Sequence, residues 1–148
     1  MYRHILIPTD GSELSQRAVR HGLSLAKAAG AKVTAVTVEA SFNVYEVPSS
    51  RMYQMSGAFD EYTEHAKAHA GKILNTVAEA ARSTGVTCET VQLEQDHPHE
   101  AIIAAAEQMN CDLIVMGSHG RSGIVAVVLG SVTNKVLTHT TIPVLVCR

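Results

Sequence analysis

Gly117, Gly120, Gly130, Ser131 and Thr133 crowd the stretch 117–133, directly after the apolar run DLIV at 112–115. Glycine loses the most backbone freedom on folding, so a cluster at a strand end implies a chain that turns sharply or is approached closely. GSVT (130–133) has the make-up of a helix start. A helix N-terminus offers unbonded N–H groups and partial positive charge, a ready receptor for phosphate. Gly130 would let the backbone approach an anion, the Ser131 and Thr133 hydroxyls would add bonds, and Gly117 and Gly120 would permit the turn that closes the other side. Three or four charge-assisted bonds at about 1.5–3 kcal/mol each, with up to about 2 kcal/mol from the helix end, match the scale of a micromolar ligand, about 8 kcal/mol. On these residues alone a second reading stays open: the glycines make a tight turn and Ser131 caps a helix.

A second polar turn, Pro8-Thr9-Asp10-Gly11, follows the apolar run HILIP at 4–8. Asp10 could hold Mg²⁺ or could cap the helix that follows. His119 and Arg121 could reach a phosphate, though Arg121 reads equally as a solvated loop charge. The phosphate loop of fast nucleotide hydrolases, G-x4-G-K-[ST], is not matched, since Val132 follows Ser131. Fast hydrolysis also needs a positioned water and strong charge neutralisation, and no second acid or obvious base accompanies Asp10.

These turns need elements to hold them. Short β-rich runs at 4–8, 32–38, 86–93, 112–117 and 143–147 alternate with helical patterns. Ser12 is placed to cap the first helix and Gly30 to end it. The second helix is expected from Ala58 to about Ser83, with an apolar stripe through Phe59, Tyr62, Ala66, Ala70, Ile73, Leu74, Val77 and Ala81. Pro98 suits the first turn of the third helix, and 131–139 forms a short fourth. Residues 39–57 carry neither period and are expected to be a long connection. Phe42, Tyr45, Tyr53, Phe59 and Tyr62 fall in or near it, as a lid, a partner contact or packing against the second helix. The alternation implies an α/β fold, an open, mostly parallel sheet with helices on both faces. In such sheets ligands bind beyond the carboxyl ends of the strands, where strand order reverses. Both polar turns lie at that end, and they line one crevice if the first and fourth strands are neighbours.

The chain has 148 residues, 46% apolar and 18% charged, the balance of one ordinary globular domain spanning 1–148. A formal charge of −2 without a basic block points away from nucleic acid. Cys88, Cys111 and Cys147 are scattered and odd in number, which reads as buried free thiols in a reducing compartment rather than a disulfide or zinc framework. No membrane-length or signal-like apolar segment is seen, so a cytoplasmic protein is expected. His65 and His69 with Glu61 lack a further ligand and read as a wet helix face.

Gly117-x2-Gly120-x9-Gly130-Ser131 resembles the nucleotide-binding signature G-x2-G-x9-G-[ST] of the universal stress protein family. The likeness extends to HILIPTDGSE, DLIVMGSHGRSG, LGSVTNKVL and the closing PVLVCR, leaving only 39–57 unmatched. The resemblance implies a Rossmann-like five-stranded parallel sheet in the order 3-2-1-4-5, ATP in the crevice and dimerisation through the last strand. Carried over by position, it puts Asp10 near the adenosine and the main chain of Val38 on adenine, with Pro8 and Thr9 counted among the expected nucleotide-binding residues. Met116 and Gly117 would border the ribose and phosphates, and Gly120, Gly130, Ser131 and Val132 would hold the phosphates; His119, Arg121 and Thr133 join the expected site on their own chemistry.

Two function classes follow. The first is a regulatory or sensor dimer whose nucleotide state alters its contacts. The second is a slow ATPase or phosphotransferase using the same site. Independently of the resemblance, PVLVCR (143–148) would be a sheet edge, apolar at nearly every position. Such edges invite antiparallel pairing with a second copy.

Overall fold

The computed structural model describes residues 1–41, 49–120 and 129–148. Its elements are β1 (His4–Pro8), α1 (Glu13–Ala29), β2 (Lys32–Glu39), α2 (Ser49–Thr84), β3 (Cys88–Glu94), α3 (Pro98–Gln108), β4 (Leu113–Gly117), α4 (Ser131–His139) and β5 (Val144–Cys147). The strands form one sheet in the order β3-β2-β1-β4-β5, and every pairing is parallel. This is the expected order.

Two cores sandwich the sheet. On one face Ile5, Ile7, Val33, Ala35 and Val115 meet α1 and α2 through Ala18, Leu23, Leu74 and Val77. On the other, Leu6, Val36, Ile114 and Met116 meet α3 and α4 through Ile102, Ala105 and Val136. β1 and β4 are buried at every position, as uniformly apolar central strands require. β3 lies at one edge and alternates between half-buried and exposed residues.

Helix ends follow local chemistry. The Ser12 hydroxyl accepts from Ser15 N–H, and Gly30 ends α1 in the left-handed region at φ 67°. Pro98 occupies the first turn of α3. α2 departs from expectation, because it begins at Ser49 and so takes in 49–57, nearly half of the segment read as a connection; the break between β2 and α2 is only 40–48. At 36 residues it is about 54 Å long, well beyond what the sheet can cover. Among the side chains of α2 that are described, the first fully buried is Ala70, and Tyr62, expected in the apolar stripe, is 53% exposed. Pro48 and the Ser49-Ser50 pair carry the chemistry of a loop, so the sequence reads there as a connection. Phe42 and Tyr45, with the side chain of Tyr53, lie outside the described residues, while Phe59 is half-buried. His65, His69 and Glu61 are all exposed.

At the amino end of the sheet a polar knot joins β1 to β4. Asp112 accepts from the N–H groups of Arg3 at 2.9 Å and His4 at 3.0 Å. Burial works against its charge, but those N–H bonds prevail and hold its carboxyl below the usual range. His4 is buried, with Nδ1 3.1 Å from the Met109 carbonyl and Nε2 2.8 Å from the Thr34 hydroxyl. A carbonyl only accepts, so Nδ1 carries the proton and Nε2 accepts from Thr34. Burial, with Lys32 nearby, depresses its pKa and keeps the ring neutral.

A candidate nucleotide crevice

β1 and β4 are neighbours, but the helices that follow them leave to opposite faces, α1 to one and α4 to the other. Their connections therefore diverge and open a crevice at the carboxyl end of the sheet, where strand order reverses.

The β1 turn forms its wall. Thr9 N–H extends the ladder by bonding the Val36 carbonyl at 2.9 Å. The Thr9 hydroxyl donates to Ser15 Oγ at 3.1 Å, and Ser15 Oγ donates to the Ser12 carbonyl at 2.9 Å. Asp10 Oδ1 accepts from Ser12 N–H at 2.9 Å, bracing the turn before α1, while the cap of the helix is Ser12 itself.

The signature glycines answer to close approach. None is among the positive-φ glycines of the described residues, which are Gly11, Gly30 and Gly85. A Cβ on Gly117 would stand 3.1 Å from the carbonyl carbon of Leu14, at the start of α1. One on Gly130 would stand 3.1 Å from the Ser118 carbonyl oxygen, and one on Gly120 would stand 2.7 Å from Asp10 Oδ2. The small residues let three backbone segments meet around one space.

α4 begins at that space. Gly130 is its N-cap with no side-chain cap, and its first turn holds no acidic residue. The Ser131, Val132 and Thr133 N–H groups belong to the turn that has no intrahelical acceptors. The end is pinned from behind: Gly130 N–H donates to the Ser118 carbonyl at 2.7 Å, and the Thr133 hydroxyl donates to the Gly117 carbonyl at 2.9 Å. Thr133 is 3% exposed. Its hydroxyl therefore holds helix to strand and is not offered to an anion, which corrects the expectation. Ser131 is exposed. His119 places Nδ1 3.0 Å from Ser118 Oγ.

A cavity of about 740 Å³ occupies the crevice, within the range of small-molecule sites. Pro8, Thr9, Asp10, Val38, Met116, Gly117, His119, Gly120, Gly130, Ser131, Val132 and Thr133 all line it. Arg121, the remaining expected site residue, lies outside the described residues. Ser15, Val36, Thr37, Glu39, Pro98, Ile102 and Leu129 line the cavity as well and were not anticipated. Strand parity offered a signal for Thr37 and Glu39, which flank Val38. Pro98 and Ile102 arrive through the packing of α3 over β2, which no local pattern announces.

The cavity has two chemically different ends. Lys32 N–H bonds β1 and Val33 N–H bonds the β3 side, so alternation turns the main chain of Val38 toward β1. The last β1–β2 pair is Pro8↔Val36, so Val38 presents its N–H and C=O past the point where β1 has left. Val36, Val38, Ile102 and Met116 supply apolar walls there, suited to a flat heterocycle. Two strands away, the α4 N-terminus supplies N–H donors suited to an anion. Among the described residues no group of three or more His, Cys, Asp or Glu side chains could hold a metal. Asp10 is the carboxylate nearest the anion end, so Mg²⁺ would come in with phosphate oxygens and water as its other ligands.

The family profile described as "Universal stress protein family" matches residues 1–148. Universal stress protein MJ0531 of Methanocaldococcus jannaschii is 34% identical over 148 residues, covering 100% of this chain and 83% of its own. The structure of the universal stress protein UspA from Lactobacillus plantarum superposes with a TM-score of 0.75 at 27% identity, covering 99% and 98% of the two chains. A universal stress protein in complex with cAMP superposes with a TM-score of 0.68 at 26% identity, covering 99% and 97%. A full-length profile match, a relative above 30% identity and a shared sheet order agree, and the chain belongs to the universal stress protein family.

Proposed function

We propose that this chain binds ATP in the β1–β4 crevice and works as a nucleotide-dependent regulatory dimer of the cytoplasm, with residues 1–148 acting as one nucleotide-binding domain. The observation that carries the reading is the side-chain-uncapped start of α4, held by Gly130 and Thr133 against the end of β4 and facing a cavity with an apolar far end. Adenine would lie against Val38, bonding its main-chain N–H and C=O. The ribose would sit over Asp10 and Gly117, and the phosphates would take the Gly120, Ser131 and Val132 N–H groups. Arg121, following Gly120 in sequence, is assigned to the phosphates. The cAMP complex of a 26% identical relative supports an adenine nucleotide as the ligand class.

Dimerisation is assigned to β5. It is a sheet edge, and Leu145 on it is 41% exposed. Antiparallel pairing of two such edges would satisfy both ladders around a twofold axis. The cytoplasmic assignment rests on three free thiols, each with a pKa raised by burial, to about 11 at Cys111. Slow hydrolysis or phosphotransfer is the second reading, with His119 and Asp10 as the groups it would draw on.

The test is chromatographic identification of any nucleotide released from the purified protein, followed by calorimetric titration of ATP. Binding at micromolar or better affinity supports the proposal. Absence of binding with and without Mg²⁺ overturns it. Single-turnover kinetics then separates regulator from slow enzyme.

A further inference from the structure

Gly11 stands between Asp10, which lines the cavity, and Ser12, which caps α1. Its φ of 80° lies in the left-handed region, open to glycine and strained for most other residues. The three atoms nearest the place of its missing side chain all belong to Ile73 of α2. A Cβ there would stand 3.0 Å from Ile73 Cγ1, 3.1 Å from Cδ1 and 3.9 Å from Cγ2. The Ile73 side chain fills the space that a side chain at position 11 would need.

The place of Ile73 on its helix separates it from its neighbours. Leu74 and Val77 are buried in the core between α2 and the sheet. Ile73 is half-buried, and its side chain reaches the turn after β1. The polar holds on Gly11 come from residues close to it in sequence. Gln16 Nε2 donates to its carbonyl at 3.0 Å, and its N–H donates to the Thr9 hydroxyl oxygen at 3.3 Å. Ile73 adds a hold from a distant element.

That hold matters because of what the turn carries. Asp10 Oδ1 accepts from Ser12 N–H at 2.9 Å, a bond that spans Gly11. Asp10 Oδ2 faces Gly120, 2.7 Å from where its Cβ would stand. A shift of the backbone at Gly11 moves Asp10 and Ser12 relative to each other, and the carboxylate moves with them.

We infer that Ile73 is a positioning residue for the crevice: its side chain seats the Gly11 turn and so fixes the Asp10 carboxylate where the ribose meets it. Ile73 acts through Asp10 and not on the ligand. This rests on the nucleotide reading of the crevice.

The experiment titrates adenosine and ATP by calorimetry into wild type, Ile73→Ala, Ile73→Val, Asp10→Ala and the Asp10→Ala, Ile73→Ala double variant. Val77→Ala, a truncation in the core of the same helix, controls for general loosening, and thermal melts accompany every protein. Ile73→Ala should bind both ligands about threefold to tenfold more weakly, by the same factor. Ile73→Val, which keeps both carbons attached to Cβ, should bind close to wild type. Val77→Ala should lower Tm and leave affinity unchanged. In the Asp10→Ala background, Ile73→Ala should cost no further affinity, a result that a merely structural role would not give. Wild-type affinity in Ile73→Ala or in Asp10→Ala overturns the inference, as does an equal loss in Val77→Ala or full additivity in the double variant. A loss confined to ATP would place the effect at the phosphates and overturn it too. If wild type binds neither adenosine nor ATP, the nucleotide reading itself has failed, an outcome visible before any variant is made.

Discussion

Asp10 and Gly120 meet across the crevice: a Cβ on Gly120 would stand 2.7 Å from Asp10 Oδ2. The two residues end different strands and lead to helices on opposite faces of the sheet, so this contact is where the two walls of the site join. The glycine is needed because the carboxylate fills the place its side chain would take. Gly130 repeats the logic against backbone, facing the Ser118 carbonyl and His119 Cα.

Gly120→Ala must therefore move Asp10, whose other oxygen is held by Ser12 N–H. The expected outcome is about tenfold weaker ATP binding with a stability loss of about 1 kcal/mol, because one side chain shifts and no core is disturbed. Gly130→Ala meets backbone, which cannot swing aside, so its stability cost should be the larger, about 1–3 kcal/mol. Paired denaturant melts and ATP titrations check both.

The β5 edge makes a separate prediction. Leu145→Lys places a charge on the exposed face of an edge strand, a natural device against edge pairing. Sedimentation of the wild type at micromolar concentration should show a dimer, and the variant should shift to monomer with its ATP site intact. A wild type that stays monomeric removes the dimer assignment.

The knot at the amino end of the sheet sets a pH dependence. His4 has a folded pKa below its ordinary value, so its contribution is fully present above about pH 6.5 and is lost as acid drops the pH from there toward the folded pKa. Asp112 is also lowered. Its contribution is present above the ordinary carboxylate range, near pH 3.8, and is lost as pH falls through the folded value. Melts from pH 7.5 downward should show one decline beginning near 6.5 and a second at strongly acid pH. His4→Asn should remove the first decline and leave the second, at lower stability throughout, while Asp112→Asn should remove the second.

Much of this molecule was legible in the chain because it depends on local rules. HILIP, the Ser12 cap, the Gly30 stop, Pro98 and the 131–139 helix all stand where short-range chemistry puts them. The crevice was legible too, since the spacing of Gly117, Gly120, Gly130 and Ser131 encodes close backbone approach. What the residues hid was relational. The first turns of α2 follow Pro48 and begin with a Ser pair, both signals of a loop, so the sequence reads there as a connection. The Thr133 hydroxyl looked free in sequence and is used on Gly117 because the end of β4 lies behind it. Thr37 and Ile102 join the cavity only because β2 and α3 come together there.

The most direct test of the phosphate cradle changes charge and leaves packing alone. Ser131 is exposed at the first position of α4. Ser131→Glu sets a carboxylate against N–H groups the triphosphate would use, while an acid there favours the helix by about 0.3–1 kcal/mol. Calorimetric titration of ATP into both proteins should show binding weakened more than tenfold in the variant, with Tm unchanged or raised. Equal affinity in the two proteins would contradict the placement of phosphate at the α4 N-terminus.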